Sequence, residues 1–91
     1  MNYQRKLLNS RQKTNNRMKG TYIFLADGYE PLEALAPMDI LKRANVKCKF
    51  VSMDGSPVVN STHGFGIQAT ISWDEFVSES EKDGIDCIIC P

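Results

Sequence analysis

The 91 residues allow one domain at most, and a chain of this length buries only a thin core. Apolar residues make up 42% and charged residues 24%, an ordinary balance for a globular protein. No run approaches the roughly eighteen apolar residues that cross a membrane, and no apolar stretch of a secretory signal follows the basic start.

The net charge of zero conceals a split. Residues 1–17 sum to +5 without a single acid, and residues 18–91 sum to −5, with the break at Met18. Residues 1–17 hold only Tyr3, Leu7 and Leu8 as sizeable apolar groups after Met1, too little surface to offset the entropy of ordering them. They read as a disordered basic leader. It is a phosphate-attracting arm, an organelle transit peptide, or translated upstream sequence with Met18 as the true start. The last is favoured, because Met18-Lys19-Gly20 runs straight into a strand with no linker. Three cysteines without an export signal read as reduced thiols, so the expected location is the cytoplasm.

Thr21–Ala26 is a short apolar, β-rich run closed by Asp27-Gly28, which predicts a strand buried on both faces. Pro31 stands where a helix begins. Leu32, Leu35, Ala36, Ile40 and Ala44 recur at helical spacing and predict the face turned to the core. The helix is expected to end near Asn45 in a left-handed terminal conformation. Lys47–Met53 predicts a second strand, closed by Asp54-Gly55-Ser56-Pro57. Strand, helix and strand within about thirty-five residues form a right-handed βαβ unit with parallel strands. Val58–Asn60 and Gly66–Ile71 predict a small hairpin around Ser61–Phe65. Ser72-Trp73-Asp74-Glu75 is a capping box, with Ile71 and Phe76 at the positions of a hydrophobic staple, and its helix is expected to reach about Ser80. Ile85–Cys90 reads as a strand fit for the middle of a parallel sheet. The chain then ends at Pro91 without a helix to cover that strand, which reads as truncation.

Ligands of open parallel sheets bind beyond the carboxyl ends of the strands, and the first strand delivers Asp27-Gly28-Tyr29-Glu30 there. Glu33 follows in the first turn of the next helix. On position alone it is a first-turn glutamate complementing the helix dipole. Pro37, however, lacks the N–H that would bond the carbonyl of Glu33, so the backbone there is freed from regular helix bonding. Asp39 reads either as a rim residue paired with Arg43 at i+4 or as an acid at a subunit contact. His63, the one histidine, lies in a glycine-rich turn and reads as structural or solvated. Cys87 and Cys90 have CxxC spacing, but on a strand they point to opposite faces. They are therefore read as buried core thiols rather than as a metal or redox pair.

Gly28–Leu35 and Pro37–Ala44, followed by Val51–Gly55, Ser61–Gly64 and Asp86–Pro91, resemble the ThiJ/PfpI family in the same order, over residues 18–91. The resemblance implies a flavodoxin-like three-layer sandwich around a parallel sheet, related to class I glutamine amidotransferases, and usually a homodimer. It implies that Glu33 hydrogen-bonds a nucleophilic cysteine lying further along the chain than Pro91, with a histidine nearby. His63 is not that histidine. Asp39 and Arg43 match positions near the family's dimer interface. The implied chemistry is cofactor-free, cysteine-dependent glyoxalase or protein-deglycase action on a small carbonyl substrate such as a 2-oxoaldehyde, with a redox-responsive chaperone or stress protein, or a cysteine peptidase, as alternatives. No metal, nucleic acid or membrane partner is implied, and without its nucleophile the chain itself is expected to be inactive.

Overall fold

The computed structural model describes residues 19–91; the basic leader lies outside the described residues. Among the described residues, six strands and two helices follow in the order β1 (Thr21–Leu25), α1 (Pro31–Arg43), β2 (Cys48–Ser52), β3 (Val58–Asn60), β4 (Gly66–Gln68), β5 (Ile71–Ser72), α2 (Trp73–Asp83) and β6 (Cys87–Ile89). Among the described residues no helix is long and apolar enough to cross a membrane.

Four strands form one all-parallel sheet in the order β5-β2-β1-β6. β1 is central. Ile23 sits between Phe50 and Ile89, and Tyr22 between Lys49 and Ile88. Because side chains alternate along a strand, odd positions of β1 face one side and even positions the other. Ile23 and Leu25 pack with Cys48, Phe50 and Ala34 under α1. Tyr22 packs with Val51 and Phe76 under α2, with Phe24 and Ile71 against them. One helix on each face gives the three-layer α/β/α arrangement that the resemblance implied.

α1 starts with Pro31 in its first turn and passes through Pro37 without a break. Its N-cap is Glu30, whose carboxylate accepts from the Leu32 amide at 3.1 Å. Asn45 takes the left-handed conformation (φ 60°), as its side chain permits. The inward face differs from the expected one. Leu32 is 72% and Ile40 64% exposed, and Leu35 is exposed as well. Ala34 is fully buried instead, with Met38 and Leu41 packed against the same cluster. The helix is apolar on two opposite sides, and spacing alone ranks them by side-chain size. The sheet takes the side with the small residue, because Ala34 lets the helix approach closely.

The second half of the predicted hairpin strand divides in two. Gly66–Gln68 pairs antiparallel with β3, whereas Ile71-Ser72 leaves the hairpin and joins the main sheet beside β2. Thr70 makes the transfer: its amide donates to the Phe50 carbonyl at 2.9 Å, and its hydroxyl accepts from the Phe50 amide at 3.1 Å.

α2 begins on the predicted capping box. The Ser72 hydroxyl accepts from the Glu75 amide and the Glu75 carboxylate from the Ser72 amide, both at 3.2 Å. It runs to Asp83, three residues beyond the expected end, and stops at Gly84. Among the described residues β6 pairs with β1 alone, and Cys87 and Ile88 are exposed.

Candidate functional site

In the strand order β5-β2-β1-β6, the crossover from β1 to β2 moves to one side, while β6 returns to the other side of β1. The order therefore reverses between β1 and β6, and a parallel sheet opens a crevice at the carboxyl ends of such a pair. A crevice of about 280 Å³ lies there, lined in part by Asp27, Gly28, Tyr29, Met53, Cys90 and Pro91.

The loop that forms its wall is held from behind. Gly28 adopts φ 88°, a conformation that side chains resist, and turns the chain so that its amide donates to the Asn60 carbonyl of the hairpin at 2.9 Å. Tyr29 is almost fully buried. Its hydroxyl lies 3.2 Å from the Val59 carbonyl and 3.0 Å from that of Phe65, so one proton serves two acceptors across the hairpin mouth. Burial pushes the Tyr29 phenol above its ordinary range. The Thr62 amide donates to the Tyr29 carbonyl at 3.0 Å, and Tyr29 forms a parallel bridge with Ser61. The Ser61 hydroxyl in turn accepts from the amides of His63 and Phe65. His63 is thus an exposed member of a tight turn, its ring tilted 6.3 Å from that of Phe65.

Glu33 stands in the first turn of α1, just past the loop from β1 and so at the carboxyl edge. It is exposed and takes no hydrogen bond or ion pair among the described residues. Its position on the helix is informative. Glu33, Pro37 and Ile40 are spaced i, i+4, i+7 and lie along one flank. Pro37 and Ile40, with Leu41, form the α1 wall of an open apolar groove of about 520 Å³ whose floor is Thr21, Cys87 and Ile89. Glu33 therefore stands at the carboxyl-edge end of the flank that looks over β6, outside the β1/β6 crevice itself.

Asp39 and Arg43 pair across one helical turn at 3.2 Å and are both well exposed. In that setting the pair contributes about 0–1 kcal/mol. They lie on the outward side of α1 between Leu32, Leu35 and Ile40, opposite Ala34.

The cysteines depart from the expected buried thiols at two of three positions. Cys48 is buried under α1, where burial pushes its thiol up and the charge of Lys42 only partly offsets that. Cys87 and Cys90 are exposed. They serve separate surfaces, Cys87 the groove under α1 and Cys90 the carboxyl-edge crevice. The alternation of strand side chains foretold the separation but not the exposure. Sequence reading placed Tyr29 at this edge without its anchorage across the hairpin, and took Cys90 for a core thiol. The one signal for Cys90 was its place at the end of a strand adjoining β1, which required the strand order.

No curated protein sequence matches the chain. Solved structures do. Oxidized DJ-1 of Toxoplasma gondii superposes with a TM-score of 0.67 at 25% identity over 79% of this chain and 37% of its own. A cysteine-to-alanine mutant of a DJ-1 superfamily protein from Salmonella typhimurium gives 0.65 at 28% identity over 78% and 36%. DJ-1 of Schizosaccharomyces pombe gives 0.65 at 25% identity over 76% and 38%. The matched region is thus little more than a third of the length of each of these structures. The model of the DJ-1/PfpI family matches residues 19–91, the whole of the described fold, and the chain belongs to that family.

Proposed function

We propose that this chain supplies the amino-terminal part of a cofactor-free, cysteine-dependent enzyme of the glyoxalase or protein-deglycase type, and that the nucleophilic cysteine lies outside these 91 residues. The observation that carries the reading is the placement of Glu33. Its carboxylate is unpaired among the described residues, stands at the carboxyl edge of a parallel sheet, and lies on the helix flank that overlooks β6. A carboxyl group so placed is available to hydrogen-bond a thiol arriving beside β6 and to exchange a proton with its adduct.

The chemistry is an internal redox reaction. The thiolate adds to the aldehyde carbon of a 2-oxoaldehyde and forms a hemithioacetal. The hydrogen on that carbon then moves, as a proton through a carboxylate, to the neighbouring carbon while the electron pair shifts with it. The aldehyde carbon is thereby oxidised to a thioester, and the ketone carbon is reduced to an alcohol. Water cleaves the thioester, releasing a hydroxy acid and regenerating the thiol. No external oxidant or reductant is consumed.

The 91-residue chain offered methylglyoxal is expected to bind it reversibly through its exposed thiols and to produce no lactate above background. The intact domain is expected to produce lactate without added cofactor. Lactate formation by the short chain that disappears in Cys90→Ser would place the nucleophile in the β1/β6 crevice and refute the proposal. An intact domain that makes no hydroxy acid from any 2-oxoaldehyde would also refute it. A second reading, a thiol that senses oxidant in a stress protein, is favoured by the Toxoplasma relative having been captured oxidized. That reading predicts reversible loss of thiol titre under peroxide with no turnover.

The partner proposed for the intact domain is a second copy of itself, docked through the outward face of α1. Leu32, Leu35 and Ile40 are exposed on that face around the Asp39–Arg43 pair, and exposed apolar clusters of this kind mark contact surfaces. Sedimentation of the intact domain is expected to show a dimer that Leu32→Asp converts to monomer. A wild-type monomer, or a dimer unaffected by the substitution, would contradict this. The cytoplasm is the proposed location, in keeping with the free thiols.

A further inference from the structure

The sheet face opposite the candidate site carries a cluster of charge that the proposed chemistry does not use. Its centre is Glu79, on the second turn of α2. One carboxylate oxygen accepts from the hydroxyl of Tyr22 in β1 at 2.7 Å, and the other meets the Lys49 ammonium of β2 at 2.5 Å. Lys47, from the segment leading into β2, stands 3.9 Å from Glu79 and 3.7 Å from Asp83 one helical turn further on. Its ammonium also lies 6.0 Å from the Tyr22 ring. Asp86, in the loop before β6, contributes a negative charge felt by Tyr22, but its own carboxylate is engaged by the amides of Lys19 and Gly20. Glu79 alone among the acids of α2 touches both β1 and β2.

The remaining hold on α2 is aromatic and close to its N-terminus. Phe76 and Trp73 pack edge-on or tilted against Phe24 and each other at 5.0–5.4 Å, and Phe76 packs against Tyr22 at 4.8 Å. The C-terminal half of the helix has no comparable apolar anchor. Val77 is 37% exposed and the rest of that half is polar.

We propose that Glu79 is an acid-opened latch: its protonation frees α2 from β1 and β2 and bares the aromatic face of the sheet while the β1–α1–β2 unit stays folded. Burial pushes the Glu79 carboxyl up, but the hydrogen bonds from Lys49 and Tyr22 and the charges of Lys49 and Lys47 outweigh it and hold the group below the usual carboxylate range. A carboxyl depressed in the folded state contributes stability that is fully present above its unfolded value and is lost as pH falls through the folded one. The latch is therefore closed at neutral pH and opens only in acid, as pH falls through the depressed range of the Glu79 carboxyl. Opening leaves Lys47 and Lys49 facing each other without their shared counter-charge. It also exposes Tyr22, Phe24, Val51 and Phe76, an apolar surface that a hydrophobic dye or a membrane surface would bind.

Trp73 is the only tryptophan and lies on α2, so its fluorescence reports the helix directly. In an acid titration of the chain, Trp73 emission and dye binding are expected to change at a higher pH than the far-ultraviolet signal of the sheet. In Glu79→Gln the helix is expected to be loose already at neutral pH, with dye bound and no further step in that window. Tyr22→Phe keeps the carboxylate but removes one bond to its charged form, so its midpoint is expected to move up by roughly half a unit. Glu81→Gln, an exposed acid of the same helix, is expected to leave the midpoint in place. Coincident fluorescence and sheet transitions in the wild type would overturn the latch. So would a Glu79→Gln chain that excludes dye at neutral pH and keeps the wild-type step. Should Glu79→Gln fail to fold, a Tyr22→Phe midpoint equal to that of the wild type decides against it.

Discussion

Glu33→Gln in the intact domain is expected to lower kcat/KM toward a 2-oxoaldehyde by about a hundredfold or more, while leaving the stability of the fold within about 0.5 kcal/mol of wild type. The two halves of that expectation come from one observation. Glu33 is exposed and makes no hydrogen bond or ion pair among the described residues, so its charge does little for folding beyond complementing the N-terminus of α1. A carboxylate with no structural partner at the carboxyl edge of a parallel sheet is free for chemistry. Glutamine preserves its shape and one acceptor oxygen but cannot carry a proton between the carbons of a hemithioacetal. Steady-state kinetics and urea unfolding of the same preparation separate the two effects. Equal rates for the variant and wild type would remove Glu33 from the mechanism. A large stability loss with proportionate loss of rate would make it a structural residue.

The largest effect on folding is expected from Ile23→Ala. Ile23 is fully buried, occupies the central strand, and is flanked by Phe50 on one side and Ile89 on the other beneath Ala34 of α1. Deleting three carbons there removes burial and leaves a cavity that two neighbouring strands and a helix cannot all close. The cost is about 2–5 kcal/mol. Small domains have only about 5–15 kcal/mol in total, so a large share of the stability goes with it. Ile40→Ala removes the same atoms from a position that is 64% exposed and is expected to change stability by about 0.5 kcal/mol or less. Urea midpoints of the two variants test the facing of α1 directly. Equal destabilisation would mean that the helix is turned the way its larger residues suggest.

That facing shows where sequence reading succeeds and where it stops. Elements announced by local chemistry were legible: the Ser72–Glu75 capping box, the proline that opens α1, the left-handed Asn45 that closes it, and the parallel β1–α1–β2 unit. Each depends on residues within a few positions of one another. Non-local choices were not legible. A helix apolar on two sides does not declare which side the sheet will take, and Ala34 was passed over because small residues weigh little in a periodicity. The Ile71–Ser72 strand was hidden in the hairpin because its partner, β2, lies some twenty residues away. The exposure of Cys87 and Cys90 was not legible either. At the candidate site the same division holds. The place of Glu33 in the first turn of α1 was legible from the helix start. The hydroxyl of Tyr29 across the hairpin mouth, and Cys90 in the crevice, depend on strands meeting in space.

The account rests on a carboxylate at the head of α1 acting on a thiol that arrives beside β6. Alkylation of the intact domain by iodoacetamide across pH, followed at the reactive cysteine by mass spectrometry, measures that interaction without requiring turnover. The wild type and Glu33→Gln are expected to give rate profiles displaced along the pH axis by about one unit or more, because a charged group is lost within reach of the thiol. Profiles that superimpose would show that the two groups do not meet, and would contradict the account.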